Sequence, residues 1–149
     1  MHEDLRPIVI LMADDDPDDR LLTQEAIEES RLINRLQFVE DGEHLLDYLF
    51  RRGPYTDETK YPMPDLILLD LNMPRLDGRE ALAIIKNDAK LRKIPVVILT
   101  TSKAEEDILR TYQLGANSYI TKPVTFEGLV DVAKSIGRYW FTIVRLPSR

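Results

Sequence analysis

The chain has no cysteine, which excludes disulfides, thiolate metal sites and thiol nucleophiles. It also has no excess of positive charge. Its 20 lysines and arginines stand against 26 aspartates and glutamates, a formal charge of −6, so bulk electrostatics offers no attraction for nucleic acid or an anionic membrane. Long hydrophobic runs are missing too: the first apolar stretch, Ile8 to Ala13, lies between acidic residues and is far shorter than the ~20 residues of a membrane span. No secretion signal precedes it. These absences predict a cytoplasmic protein that binds neither nucleic acid nor membrane and acts through protein partners. There is no internal repeat, low-complexity tract or linker. At 149 residues and 44% hydrophobic, the chain is long enough for one full-sized core and too short for two.

Several short apolar runs end on a chemically informative residue. Ile8 to Ala13 is followed by Asp14 and Asp15, Leu66 to Leu69 by Asp70, and Val96 to Leu99 by Thr100; Ser118 to Thr121 is followed by Lys122 and Pro123. In an open parallel sheet the carboxyl ends of the strands share one edge, and ligands bind in the crevice outside it. Residues far apart in sequence then meet. Carboxylates bind a hard cation, while a hydroxyl and an ammonium bind phosphate oxygens, so the set suits a cation held beside a phosphoryl group.

Strand and helix signals alternate along the chain. Asp16 before Pro17 is an N-cap followed by proline at the first helical position, and Leu21, Leu22, Ala26 and Ile27 recur at helical spacing. A short strand is expected at Leu36 to Val39, then a helix from about Glu43 to Arg52 ended by Gly53. The stretch Gly53 to Pro64 reads as a long surface loop. A third strand spans Asp65 to Leu71, and Pro74 with Gly78 marks a turn before a helix carrying Ala81, Leu82, Ile84 and Ile85. Ser102 and Glu105 suggest a capping box ahead of the fourth helix, with Gly115 as its C-cap. Five strands and five helices in alternation argue for one α/β domain.

These residues resemble the receiver domains of two-component response regulators. The resemblance runs from Asp14 and Asp15 through Leu69-Asp70-Leu71-Asn72-Met73-Pro74 and Asp77-Gly78 to Thr100 and Tyr119-Ile120-Thr121-Lys122-Pro123, in order and at compatible spacing. It implies a flavodoxin-like (βα)5 doubly wound parallel sheet with strand order 2-1-3-4-5, an arrangement of which a receiver domain is itself a standard example. It implies Asp70 as phosphoacceptor and a magnesium or manganese ion held by Asp14, Asp15, Asp70 and the Asn72 backbone carbonyl, with Asp14 acting through water. Thr100 would bind a phosphoryl oxygen after transfer. Lys122 would pair first with Asp70 and then with the phosphate, across a cis bond to Pro123. Thr100, Tyr119 and Pro123 would form the switch, the Tyr119 ring turning inward as Thr100 moves. The long loop before strand three and the tail Tyr139-Trp140-Phe141 resemble single-domain regulators of bacterial and cyanobacterial phytochrome kinases, which implies a phytochrome-type histidine kinase as partner.

The implied protein is a phosphoacceptor switch with limited autophosphorylation and autodephosphorylation activity. With nothing after residue 149, its signal is expected to leave through the receiver surface. Two related chemistries fit less well. A haloacid-dehalogenase-type phosphatase needs an aspartate two positions after its nucleophile, where this chain has Asn72. A flavodoxin needs a hydroxyl- and glycine-rich phosphate loop, where Asp14-Asp15-Asp16-Pro17 would repel the phosphate. The receiver is read as one domain, 1–149, with its core over about 6–138 and a helix extension and tail over about 139–149. Val132, Ile136, Tyr139, Ile143 and Leu146 form one helical stripe, and Leu129, Ala133, Trp140 and Val144 form another. Together they exceed what packing on the domain's own sheet requires, which predicts a homodimer through the C-terminal helix and tail; the alternative is a tail that leaves the helix after Arg138 and folds back over its own domain.

Overall fold

Successive residues of a strand face opposite sides of its sheet, and here that alternation separates two apolar layers. The computed structural model describes residues 7–31 and 34–139. Its strands are β1 (Ile8–Ala13), β2 (Asn34–Val39), β3 (Leu66–Leu69), β4 (Val96–Thr100) and β5 (Ser118–Thr121). All are parallel, in the order β2-β1-β3-β4-β5. The helices are α1 (Pro17–Ser30), α2 (Gly42–Leu49), α3 (Gly78–Asn87), α4 (Glu105–Leu114) and α5 (Phe126–Tyr139).

On one face Ile8, Ile10, Met12, Leu66, Leu68, Val97 and Leu99 pack with Ile27 of α1 and with Ala133 and Ile136 of α5. On the other, Leu11, Ala13, Ile67, Leu69, Val96 and Ile98 pack with Leu45 and Leu49 of α2 and Leu82 and Ile85 of α3. The central strand β3 is covered on both sides, which is why Leu66-Ile67-Leu68-Leu69 reads as a continuous apolar run.

Local chemistry sets most helix starts. Asp16 accepts a hydrogen bond from the Asp18 backbone N–H, and Pro17 opens α1. Asp77 and Glu80 form a reciprocal capping box on α3. Gly115 closes α4 at φ 110°, a left-handed conformation that glycine adopts without steric penalty.

Four local expectations differ from the structure. Ser102 does not cap α4, whose N-cap is Ala104 with no side-chain cap; the Ser102 hydroxyl donates instead to Asp107, a charged acceptor in the first turn. Helix α2 ends at Leu49 with Phe50 as its C-cap, because Arg51 turns left-handed at φ 61° before Gly53 is reached. In α1 the buried residues are Thr23, Ala26 and Ile27, whereas Leu21 and Leu22 are 55% and 42% exposed, because the helix presents Thr23 to the sheet. No cis peptide occurs among the described residues, so Lys122–Pro123 takes the trans form that is intrinsically favoured by about 0.5–1 kcal/mol.

The loop between α2 and β3 is tied down rather than free. The Tyr48 hydroxyl donates to the Pro62 carbonyl at 2.6 Å, and burial pushes the phenol up to about 12. The rings of Tyr48, Tyr55 and Tyr61 pack together, and Arg35 and Gln37 of edge strand β2 donate to loop carbonyls at Thr59 and Lys60.

In helix α5, Ala133 and Ile136 are buried, and Val132 is partly buried against the same core. Trp140, Ile143, Val144 and Leu146 lie outside the described residues. No helix among the described residues is long and apolar enough to cross a membrane.

Candidate functional site

Strand register brings the chain's acids together. Ala13 pairs with Leu69 across β1 and β3, and Thr100 pairs with Thr121 across β4 and β5, so the residues just beyond these strands emerge side by side. The backbone bonding continues one step past each strand. The Asp70 N–H donates to the Ala13 carbonyl at 3.0 Å, the Asp14 N–H to Val39 at 3.1 Å, and the Lys122 N–H to Thr100 at 2.8 Å. These bonds aim Asp14, Asp70 and Lys122 at one small volume.

Carboxylate oxygens of Asp14, Asp15 and Asp70 all lie within 4.8 Å of one another. Asp14 is fully buried, Asp70 is 7% exposed, and Asp15 faces solvent. The Lys122 ammonium donates to Asp14 at 2.7 Å, to Asp19 at 2.7 Å and to Asp70 at 3.3 Å. Burial raises the Asp14 carboxyl above its ordinary value, and the hydrogen bond from Lys122 offsets this only in part. Burial also works against the Lys122 charge, but its hydrogen bonds to Asp14 and Asp19 prevail and raise that pKa. Four acids around one ammonium leave a formal excess of negative charge, which attracts a cation.

The surrounding backbone holds the acids in place. Arg20 of α1 donates to the Asp14 carbonyl at 2.7 Å, and the Asp16 N–H donates to the Asp14 carboxylate at 3.0 Å. The Asn72 N–H approaches Asp70 Oδ1 at 3.4 Å. Gly78 lies directly against this loop: a Cβ there would stand 2.2 Å from the Asp70 carbonyl oxygen.

Each residue expected from the sequence at the sheet edge is placed there, with two refinements. Lys122 has its shorter contacts to Asp14 and Asp19 rather than to Asp70, because the ammonium sits deepest against fully buried Asp14, where pairing is least screened. Asp19, an acid in the first turn of α1, also reaches back over the edge. The only sequence signal for it is its place in the first turn of a helix that starts directly above that edge. Buried Thr100 accepts from the Ser102 N–H at 3.5 Å. Half-buried Tyr119 donates through its hydroxyl to the Ser102 carbonyl at 3.0 Å.

Residues 10–134 match the model of the response regulator receiver domain. The chain belongs to that family. This receiver is 40% identical over 142 residues to response regulator Rcp1 of Synechocystis sp., covering 95% of each chain. Among solved structures it resembles the phosphorylated cyanobacterial phytochrome response regulator RcpA, with a TM-score of 0.86 and 41% identity over 95% of this chain and 99% of that one. It also resembles the Mn2+-bound form of Rcp1, with a TM-score of 0.83 and 40% identity over 95% and 99% of the two chains. The bacteriophytochrome response regulator RtBRR gives a TM-score of 0.76 and 39% identity over 95% of this receiver and 85% of that chain.

Proposed function

We propose that this receiver accepts a phosphoryl group from a phytochrome-type sensor histidine kinase onto Asp70 and, acting in the cytoplasm, changes its surface for a protein partner. The observation that carries the reading is Asp70 itself, at the end of a buried strand, with Asp14 and Asp15 beside it and the Lys122 ammonium 3.3 Å away. In the transfer, an Asp70 carboxylate oxygen bonds to phosphorus as the bond from phosphorus to the kinase histidine nitrogen breaks, and that electron pair stays on the nitrogen.

The acids fit a divalent cation. Asp14, Asp15, Asp70 and the Asn72 carbonyl offer the hard oxygen donors that Mg2+ or Mn2+ prefers, and such an ion supplies charge neutralisation for the incoming phosphoryl oxygens. Lys122 then exchanges part of its carboxylate pairing for phosphate, and the Thr100 hydroxyl donates to a phosphoryl oxygen. The group brings close to −2 charge and three acceptors, enough to bias a two-state loop. The same residues give limited self-phosphorylation from small donors and limited self-hydrolysis. Exposed Leu22, Val124 and Phe126 border a shallow cavity of about 90 Å3 that reaches Lys122, apolar contact area for a kinase beside the reacting group.

Phosphate labelling by kinase or acetyl phosphate is expected to require a divalent cation, to vanish in EDTA, and to slow by at least about tenfold in Asp15→Ala. Labelling indifferent to EDTA would overturn the reading. The similarity to Rcp1, RcpA and RtBRR supports the kinase class; a phosphotransfer profile against phytochrome-type and other histidine kinases tests it.

The dimer proposal now rests on the apolar composition of residues beyond Tyr139, since Ala133 and Ile136 are committed to the domain core. An isologous pairing through that segment is expected to make the full chain sediment as a dimer, and truncation after Arg138 a monomer that still takes phosphate. A full chain that sediments as a monomer at tens of micromolar ends this proposal.

A further inference from the structure

The loop that carries Asp70 and the loop that begins at Thr100 are tied together by one ion pair outside the acid cluster. Arg79, the second residue of α3, donates from Nε and Nη2 to the two carboxylate oxygens of Asp107, the third residue of α4, both at 2.7 Å. This is the bidentate arrangement in which guanidinium and carboxylate bind most strongly. Both side chains are largely shielded, at 20% and 14% exposure, so the pair is screened less than a surface ion pair.

Each partner also reaches a different loop. Arg79 lies 3.6 Å from Asp77, whose carboxylate caps α3 at the end of the segment running from Asp70. Asp107 accepts a second hydrogen bond, from the Ser102 hydroxyl at 2.7 Å. Ser102 is the centre of the β4–α4 loop. Its carbonyl accepts from the Tyr119 hydroxyl, its hydroxyl accepts from the Ala104 N–H, and its own N–H approaches the Thr100 hydroxyl oxygen.

The geometry assigns Arg79 and Asp107 as positioning residues of the switch: the pair fixes Ser102, and through Ser102 it holds Tyr119 and Thr100 in the arrangement seen here, against the movement of Thr100 toward a phosphoryl group on Asp70. The inference rests on Asp70 being the phosphoacceptor. When Thr100 turns its hydroxyl toward phosphate it releases the Ser102 N–H, and any shift of the loop must break or carry along the Ser102–Asp107 bond. A rigid bidentate anchor makes that shift costly, so the pair sets how much of the switched arrangement exists before phosphorylation. The hydrogen bond from Arg79 holds Asp107 down to about 2, so the anchor stays ionised throughout the neutral range.

The test compares the full chain with Asp107→Asn, Ser102→Ala and the charge-exchanged double variant Arg79→Asp/Asp107→Arg. Backbone and ring NMR signals of Thr100 and Tyr119 are followed with and without acetyl phosphate and Mg2+. Asp107→Asn and Ser102→Ala are expected to move these signals toward their phosphorylated positions before any donor is added. The corresponding change in the ratio of the two arrangements is about 5- to 150-fold, the usual range of coupling between sites. The exchanged pair keeps an ion pair between the helices but offers the Ser102 hydroxyl no acceptor, so its signals should shift as in Asp107→Asn. A pair that merely stabilises the fold would lower the unfolding midpoint without moving the ratio. Ser102→Ala leaves the ion pair intact and so guards against loss of folding in the other variants. Donor-free signals at original positions in Asp107→Asn and Ser102→Ala, with the parent chain labelling and switching normally, overturn this inference and leave the proposed function standing. Failure of the parent chain to label at Asp70 overturns both.

Discussion

Asp70→Asn is expected to reduce acid-labile phosphate incorporation, from kinase or acetyl phosphate, to the level of a control without protein. The substitution keeps the shape of the side chain and exchanges one carboxylate oxygen for an amide nitrogen, so the nucleophile is lost and little else. Folding should survive. The Lys122 ammonium retains its 2.7 Å contacts to Asp14 and Asp19, leaving no unpaired buried cation, and one member of a crowded acid cluster is neutralised. Thermal unfolding monitored by circular dichroism should therefore give a midpoint equal to that of the parent chain or above it. Phosphate that persists on the variant at another residue contradicts the assignment of Asp70.

Gly78→Ala should be strongly destabilising for a single added methyl group. The added carbon would lie 2.2 Å from the Asp70 carbonyl oxygen and 2.8 Å from the Leu71 Cα. Both obstacles are backbone, so no side chain can swing aside. Relief requires moving either the start of α3, held by the Asp77–Glu80 capping box, or the segment after β3, held by the Gly78 N–H to Leu71 carbonyl bond at 2.9 Å. A destabilisation of about 3 kcal/mol or more is expected, at the upper end for overpacking, read as a lower urea midpoint with an unchanged m value. Phosphate labelling of the folded fraction should also slow, because the displaced atoms are those that aim Asp70. Gly53→Ala is the comparison: open space surrounds that position, but its φ of 59° disfavours a side chain, so about 1–2 kcal/mol is expected and labelling should be unchanged. Equal stability of Gly78→Ala and the parent chain would mean that the contact is not as close as described.

The candidate site was readable in the sequence where a polar residue ends an apolar run. Asp14, Asp70, Thr100 and Lys122 all have that signature, because burial of the strand forces the next residue to the edge of the sheet whatever the rest of the chain does. Asp19 and the Arg79–Asp107 pair have no such signature. Asp19 looks like any acid in a first helical turn, and Arg79 and Asp107 are 28 positions apart on the surfaces of different helices. Ser102 illustrates the same limit locally: its spacing to Glu105 suits a capping box, but the nearby Asp107 carboxylate is the better acceptor and takes the hydroxyl.

The sequence by itself determined the alternation of five strands and five helices, the caps at Asp16 and Gly115, and which residues stand at the strand ends. These depend on local geometry and on the two- and 3.6-residue periods of apolar side chains. Tertiary structure decided which neighbour each charged group selects. Lys122 divides its ammonium among Asp14, Asp19 and Asp70, Arg79 crosses from α3 to α4, and α5 buries Ala133 and Ile136, one residue from each of its apolar stripes. Coulomb energy and burial depend on distance and solvent exposure, and those are set only when the elements pack.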